Sequence, residues 1–293
     1  MLSTPMAAAS HRAQAATYLV HDAYDVDTRD AEDHTFCGIM FDVHCKSTLP
    51  VDELVVSSVW VRGDLGPMQV FCTGGGYSGK LEVPSAWSCH FQAELPASTH
   101  ELQELSLDPP LRLKPGASVG IYVHSSSEGE GGAPESVVYN NQRFNVTHDD
   151  PFIRLLPGMA HTGSEPFSRS GFWGQAWRSH REFVGRLSYG VKWLLWNPEI
   201  HSQFPASFRE NVRLLLLIHQ RPESSFSTLP FEAVLHLLNM CRWDWFQEGA
   251  GSPFEETEVL VPVREFRDPY GSLVGMPDVE DADFDTDADS DEG

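Results

Sequence analysis

The sequence predicts an all-β fold: an antiparallel, jelly-roll-like β-sandwich carrying a C-terminal α-helical hairpin and a disordered acidic tail. Three observations predict it. From about residue 34, apolar residues recur at every second position in short β-branched and aromatic runs separated by Gly, Pro, Asp and Ser. No segment of helical period lies between those runs, which removes a βαβ arrangement and leaves two facing sheets as the simplest way to cover one side of each strand. At Pro198 the period lengthens to about 3.6 residues and two apolar helical runs follow in succession.

Residues 1–33 are expected to form a flexible leader: their opening stretch, "MLSTPMAAASHRAQAATYLV", holds a single Arg and no secretory hydrophobic run, and the chain is acid-free until Asp22. The sandwich is expected over 34–197. "HTFCGIMFDVHC" sets Phe36, Ile39, Phe41 and Val43 among small or polar residues; "ELVVSSVWVRG", "MQVFCTGG", "WSCHFQAEL", "LQELSLDPPLRLKPG", "ASVGIYVHSS" and "ESVVYNN" follow. "HDDPFIRLLPG" reads as a further extended strand, and "REFVGRLSYGVKWLLW" alternates Phe183, Leu187, Tyr189, Val191 and Trp193 as a closing strand.

The hairpin is expected over 198–249. Its first helix opens near Ser207 and stops before Pro222, with Phe208, Val212, Leu215, Leu216 and His219 on one face. Leu214, Leu217 and Ile218 widen that face beyond what a simple surface helix uses. The second helix starts at "LPFE": Pro230 suits the first helical position, Glu232 can reach back to the orphan amides, and Val234, Leu237, Leu238 and Cys241 follow at helical spacing. An extended segment with one strand-like run, "EVLVPVREF", fills 250–276. The tail over 277–293 holds nine carboxylates and no base, so it repels itself and has little to bury.

Composition excludes several classes. The formal charge is −22, from 20 Lys and Arg against 42 acids, which argues against a nucleic-acid partner because phosphate binding draws on basic side chains. No apolar run approaches the roughly 18–20 residues of a membrane helix, so no membrane partner is expected. Five cysteines without a CxxC pair are poor material for disulfides or zinc. A reducing compartment, cytoplasmic or nuclear, is the expectation.

Candidate chemistry is sparse. Gly74-Gly75-Gly76-Tyr77-Ser78-Gly79-Lys80 fits the first seven positions of a phosphate-binding loop. Position 81, however, is Leu where the metal-binding hydroxyl belongs, and Pro84 stands where a helix would have to start. The loop therefore reads as a glycine-rich connection between antiparallel strands. No His pair has metal-ligand spacing, no G-x-S-x-G elbow exists, and the tail lacks the glycine and closing Glu of a calcium loop. The expectation is a protein without enzymatic activity, metal or cofactor; an enzyme would need His148, Asp149 or Asp150 to converge with another polar group.

"FCGIMFDVHCKSTLPVDELVVSSVWV", "MQVFCTGGGYSGKLEVPSAW" and "LRLKPGASVGIYVHS" together resemble a β-sandwich module that recurs in proteins of unicellular eukaryotes, and more loosely the PHR domain. The resemblance spans about residues 34–140 and implies binding rather than catalysis. The hairpin, an apolar helix followed by L-P-x-E and a second apolar helix, resembles the opening of an F-box and the layout of a SOCS box, modules that dock on adaptors of cullin ubiquitin ligases. That resemblance implies Leu229, Pro230, Leu235 and Leu238 as docking residues. It departs from an F-box in lacking a third helix with a later Trp, and from a SOCS box in lacking a Cys near the first helix. The expected function is thus a non-catalytic protein-interaction module, a substrate-recognition adaptor of a ubiquitin ligase. The alternative is a carbohydrate-binding sandwich in which Trp173 and Trp177 stack on a glycan, although large rings at alternating positions more commonly fill a core.

Overall fold

The strands of the two main sheets have an apolar side to cover, and the two antiparallel sheets supply that cover for each other. The computed structural model describes residues 17–127, 136–171 and 174–241, together with two short strands at 266–267 and 273–274. The larger sheet runs in the order β2 (His34–Phe36), β9 (Val137–Asn141), β12 (Trp177–Phe183), β11 (Ile153–His161), β3 (Gly38–Cys45), β8 (Ser118–Ser125), β5 (Gly66–Gly74) and β6 (Ser88–Leu95), with β10 (His148–Asp149) paired to β11. The smaller has the order β1 (Thr17–Asp27), β13 (Arg186–Leu194), β4 (Val51–Gly63) and β7 (Ser98–Leu113). All pairings are antiparallel.

The expected leader is corrected over 17–27. This stretch is β1, an edge strand registered on β13 from Thr17↔Leu194 to Asp27↔Arg186. The cause is the free edge of β13: β4 occupies one side, and β1 satisfies the backbone groups of the other. Val26 is buried, Tyr24 packs 4.9 Å from Phe152 and 5.5 Å from Tyr189, and Thr28 exchanges hydrogen bonds with Gly185. Residues 1–16, the segment 242–265 and the acidic tail lie outside the described residues.

Between the sheets, β3 contributes Ile39, Phe41 and Val43, whose register partners on β8 are Val123, Ile121 and Val119. Leu54, Val56, Val59 and Val61 of β4 and Leu187, Tyr189 and Val191 of β13 meet them from the other side. Phe41 stacks on Phe183 at 4.3 Å. The larger sheet is also apolar on its outer face: Met40 and Tyr122 cluster with Trp87 and Phe167, and Phe71, Tyr77, Leu81 and Trp177 pack around them. Chain between β5 and β6 and between β11 and β12 supplies this outer cover. Two buried faces explain why β8 is buried along nearly its whole length instead of alternating.

The helices are α1 (Ala206–His219) and α2 (Phe231–Met240). Phe208, Val212, Val234 and Leu238 join the same core as the sandwich, as do Trp196 and Phe204. Asn239 fastens α2 to the chain leaving β13: its carbonyl accepts from Trp196 N at 2.7 Å and its amide donates to Trp196 O at 3.1 Å. Among the described residues, no helix is long and apolar enough to cross a membrane.

Gly158 sits where β11 slips register against β3, and a Cβ there would meet Met40 O at 1.7 Å. Gly158→Ala should destabilise the fold by about 1–3 kcal/mol through forced backbone displacement. A urea midpoint unchanged from wild type would contradict that account of the bulge.

Candidate functional site

The glycine-rich loop is built around its lysine in the opposite sense to a phosphate cradle. Lys80 Nζ donates to Thr73 Oγ1, Gly74 O and Gly76 O, so the loop turns carbonyls inward and its cation is consumed holding them. Trp87 Nε1 donates to Lys80 O, while Tyr77 N donates to the Asp42 carboxylate, whose pKa burial raises. Gly75, Gly76 and Gly79 adopt positive φ, which favours glycine. The loop connects β5 to β6, the antiparallel connection expected from the sequence.

His148 and Asp150 do converge with another polar group, the Tyr189 hydroxyl. Tyr189 donates to Asp150 Oδ2 at 2.8 Å and His148 Nε2 lies 3.3 Å from the same oxygen, while Oδ1 accepts the amides of Phe152 and Ile153, each at 2.7 Å. Both carboxylate oxygens are engaged, so Asp150 acts as an organiser of the β10–β11 turn and a tether between the two sheets, since Tyr189 belongs to β13. Asp149 instead pairs with Lys46 and Arg154. His44 bonds to Ser118. The nearby Cys45 thiol is pushed up to about 11, by burial first and then by Asp150, which disfavours the thiolate a nucleophile requires.

On the hairpin, the structure redistributes the expected docking residues. Leu238 is only 2 % exposed and belongs to the core, because it lies on the same side of α2 as the buried Val234. Leu229 and Leu235 pack partly against that core, and Leu229 O accepts a hydrogen bond from His219 Nε2. Pro230 is exposed. A different set is exposed: Leu214 and Leu217, each 56 % exposed, with Ile218 on α1, and Phe231, Leu237 and Met240 on α2. Glu210, Arg213 and Arg221 are exposed beside them. A signal for this face was present in the sequence, since Leu214, Leu217 and Ile218 exceed the stripe a single buried face accounts for. Which of the two faces would stay bare was set by packing.

Trp177, expected on a glycan platform, has one ring face stacked on His161 at 4.1 Å and lies 5.7 Å from Tyr122. It is therefore part of the outer-face cluster, and Trp173 lies outside the described residues. Trp193 and Trp196 pack with the sandwich core. Among the described residues, no group of three or more His, Cys, Asp or Glu side chains could hold a metal ion.

No family model and no curated protein matches the chain. Among solved structures it is similar to infectious bursal disease virus of the Gx strain, at 11 % identity and TM-score 0.21, over 74 % of this chain and 52 % of that one. The Gt strain gives 12 % identity and TM-score 0.20, over 75 % and 52 %. The chain thus spans about half the length of these structures. At such TM-scores the likeness carries no functional argument, and the fold rests on its own strand pairing.

Tyr189→Phe leaves Asp150 without its cross-sheet donor and should cost about 1–3 kcal/mol, the penalty of an under-satisfied buried polar group. Equilibrium urea unfolding measures it, and a change below about 0.5 kcal/mol would show that the tether contributes little.

Proposed function

We propose that this chain is a non-catalytic protein-interaction module whose docking face is the outward side of the helical hairpin. The observation that carries the reading is the set of six large apolar side chains, Leu214, Leu217, Ile218, Phe231, Leu237 and Met240, left exposed on two short consecutive helices. Surface leucines scattered singly need no explanation, but an i, i+3, i+4 triplet with three more on the adjoining helix does. The occupant we commit to is a protein helix with an apolar stripe. The charged rim is mixed, with Arg213 and Arg221 exposed alongside Glu210, Glu223 and Glu232, so apolar burial carries the affinity and charge only the orientation. An adaptor of a cullin ubiquitin ligase is the candidate that the L-P-x-E resemblance supplies, engaged through this face and not through the buried Leu238.

Mixing the purified full chain with purified cullin-ligase adaptors tests the reading. Binding in the micromolar range or tighter is expected, with loss of at least about tenfold for the double variant Leu214→Lys, Leu217→Lys, a change of about 1.4 kcal/mol. Those exposed positions should alter folding stability by no more than about 0.5 kcal/mol, so lost binding is separable from lost fold. No binding by any adaptor removes the ligase assignment. Binding that ignores the double variant removes the docking face.

A further inference from the structure

The exposed side chains of α1 are ordered along the helix. Glu210, Leu214, Leu217 and Arg221 follow one another at i, i+4, i+7 and i+11, the spacing that keeps residues on one stripe, and all four are exposed. The helical turn is maintained to the last of them: Gln220 N donates to Leu216 O and Arg221 N to Ile218 O, each at 3.1 Å. At about 3.6 residues per turn the stripe lies nearly opposite Phe208 and Val212, the two side chains of α1 that are buried in the core. The sandwich therefore stands behind the helix, and the stripe faces away from it.

The stripe reads acid, apolar, apolar, base. A second α1 laid antiparallel across it reads base, apolar, apolar, acid, and the two match about a midpoint between Leu215 and Leu216. Leu214 then meets Leu217 of the second copy, and Glu210 meets Arg221 of the second copy. A two-fold axis produces each of these contacts twice. A parallel copy would instead set acid on acid and base on base at the two ends, so charge selects the antiparallel orientation. Among the described residues neither Glu210 nor Arg221 is engaged in an ion pair, which leaves both available for a contact between copies. Each copy carries a net charge of −22, but repulsion between distant surface charges is screened beyond about 8 Å at physiological ionic strength, whereas the end contacts of the stripe are local.

We propose that α1 pairs with α1 of a second copy of this chain, antiparallel and across Leu214 and Leu217, so that self-association covers the hairpin's exposed face. α1 is itself a helix with an apolar stripe, the kind of occupant assigned to that face above. The pairing stands on the stripe alone; its bearing on an adaptor, which would have to displace the second copy, rests on the function proposed above. Ile218 borders the stripe on α1, and the Phe231 ring, 6.3 Å from that of His219, brings α2 alongside it. Four large side chains open to about half their surface offer on the order of 400 Å² per copy, which places the pair among weak, reversible associations and not among permanent dimers.

Sedimentation velocity of the full chain from about 5 to about 500 μM measures the pairing, with a monomer–dimer midpoint on the order of 10–100 μM expected. Glu210→Arg sets arginine against arginine at both ends of the seam and should weaken the dimer at least about tenfold; Arg221→Glu, which sets glutamate against glutamate, should do the same. The double variant Glu210→Arg, Arg221→Glu reverses every charge and keeps every opposition, so its midpoint should return to within about threefold of wild type. Leu214→Lys with Leu217→Lys should leave only monomer. All four positions are exposed, and an unchanged urea midpoint separates lost pairing from lost fold. A wild-type chain that stays monomeric throughout overturns the pairing. So does self-association that ignores the single reversals, which places the contact on another surface, or a double reversal as weak as the singles, which refutes the antiparallel register. The two readings fail separately: a monomeric chain leaves adaptor binding as measured, and a chain that binds no adaptor leaves the dimer as measured.

Discussion

The whole architecture depends on one constraint: the larger sheet is apolar on both faces, and neither face can be left to water. β8 carries the constraint most plainly, with Val119, Ile121 and Val123 pointing toward the smaller sheet and Tyr122 and His124 pointing away, all buried. The four-stranded sheet covers the inner face. Among the described residues no second sheet covers the outer one, so connections do that work, and they must be fastened by specific polar bonds because loops lack a ladder of their own. Lys80 fastens the glycine loop by collecting its carbonyls; His124 Nε2 reaches Ser164 O in the loop after β11. Both devices are buried polar chemistry in an apolar setting, where a satisfied group stabilises and an unsatisfied one is costly.

The inner face imposes a second consequence at the end of the sandwich. Phe204, Phe208, Val212, Val234 and Leu238 are drawn into the core, and the Asn239 clamp on Trp196 fixes the rotation of α2. A helix held by one face must present the other. Leu214, Leu217 and Met240 are exposed because the inward stripes are already filled, and this division of faces turns a packing element into a candidate interface. Two further buried carboxylates are engaged within the fold. Asp150 joins the sheets and orders a turn, and Glu182 is bonded to Arg29 and to the amides of Arg143 and Phe144.

Much of this was legible in the sequence because it depends on neighbours within a few residues. Alternation of Phe36, Ile39, Phe41 and Val43, the interrupted phosphate-loop pattern at Leu81 and Pro84, and the switch to helical spacing after Pro198 identify strands, a connection and a hairpin without knowledge of contacts. Tyr122-x-His124 was visible as a pair sharing one face of a strand, yet its third member, His161, is 37 residues further along and meets them only because β3 lies between β8 and β11 with a glycine in the row. The role of 17–27 was hidden for a similar reason: an edge strand is defined by the partner that accepts it, and β13 is distant in the chain.

Local pattern, by itself, determined the fold class, the helical hairpin and the glycine connection, since periodicity and turn chemistry act over a few residues. Tertiary structure alone decided that the larger sheet is covered twice, that Leu238 is buried while Leu214 and Leu217 are bare, and that two remote histidines meet one tyrosine hydroxyl. The physical reason is that a side chain's surroundings depend on which strands become neighbours. That choice is made by the burial of the whole chain, not by any one segment.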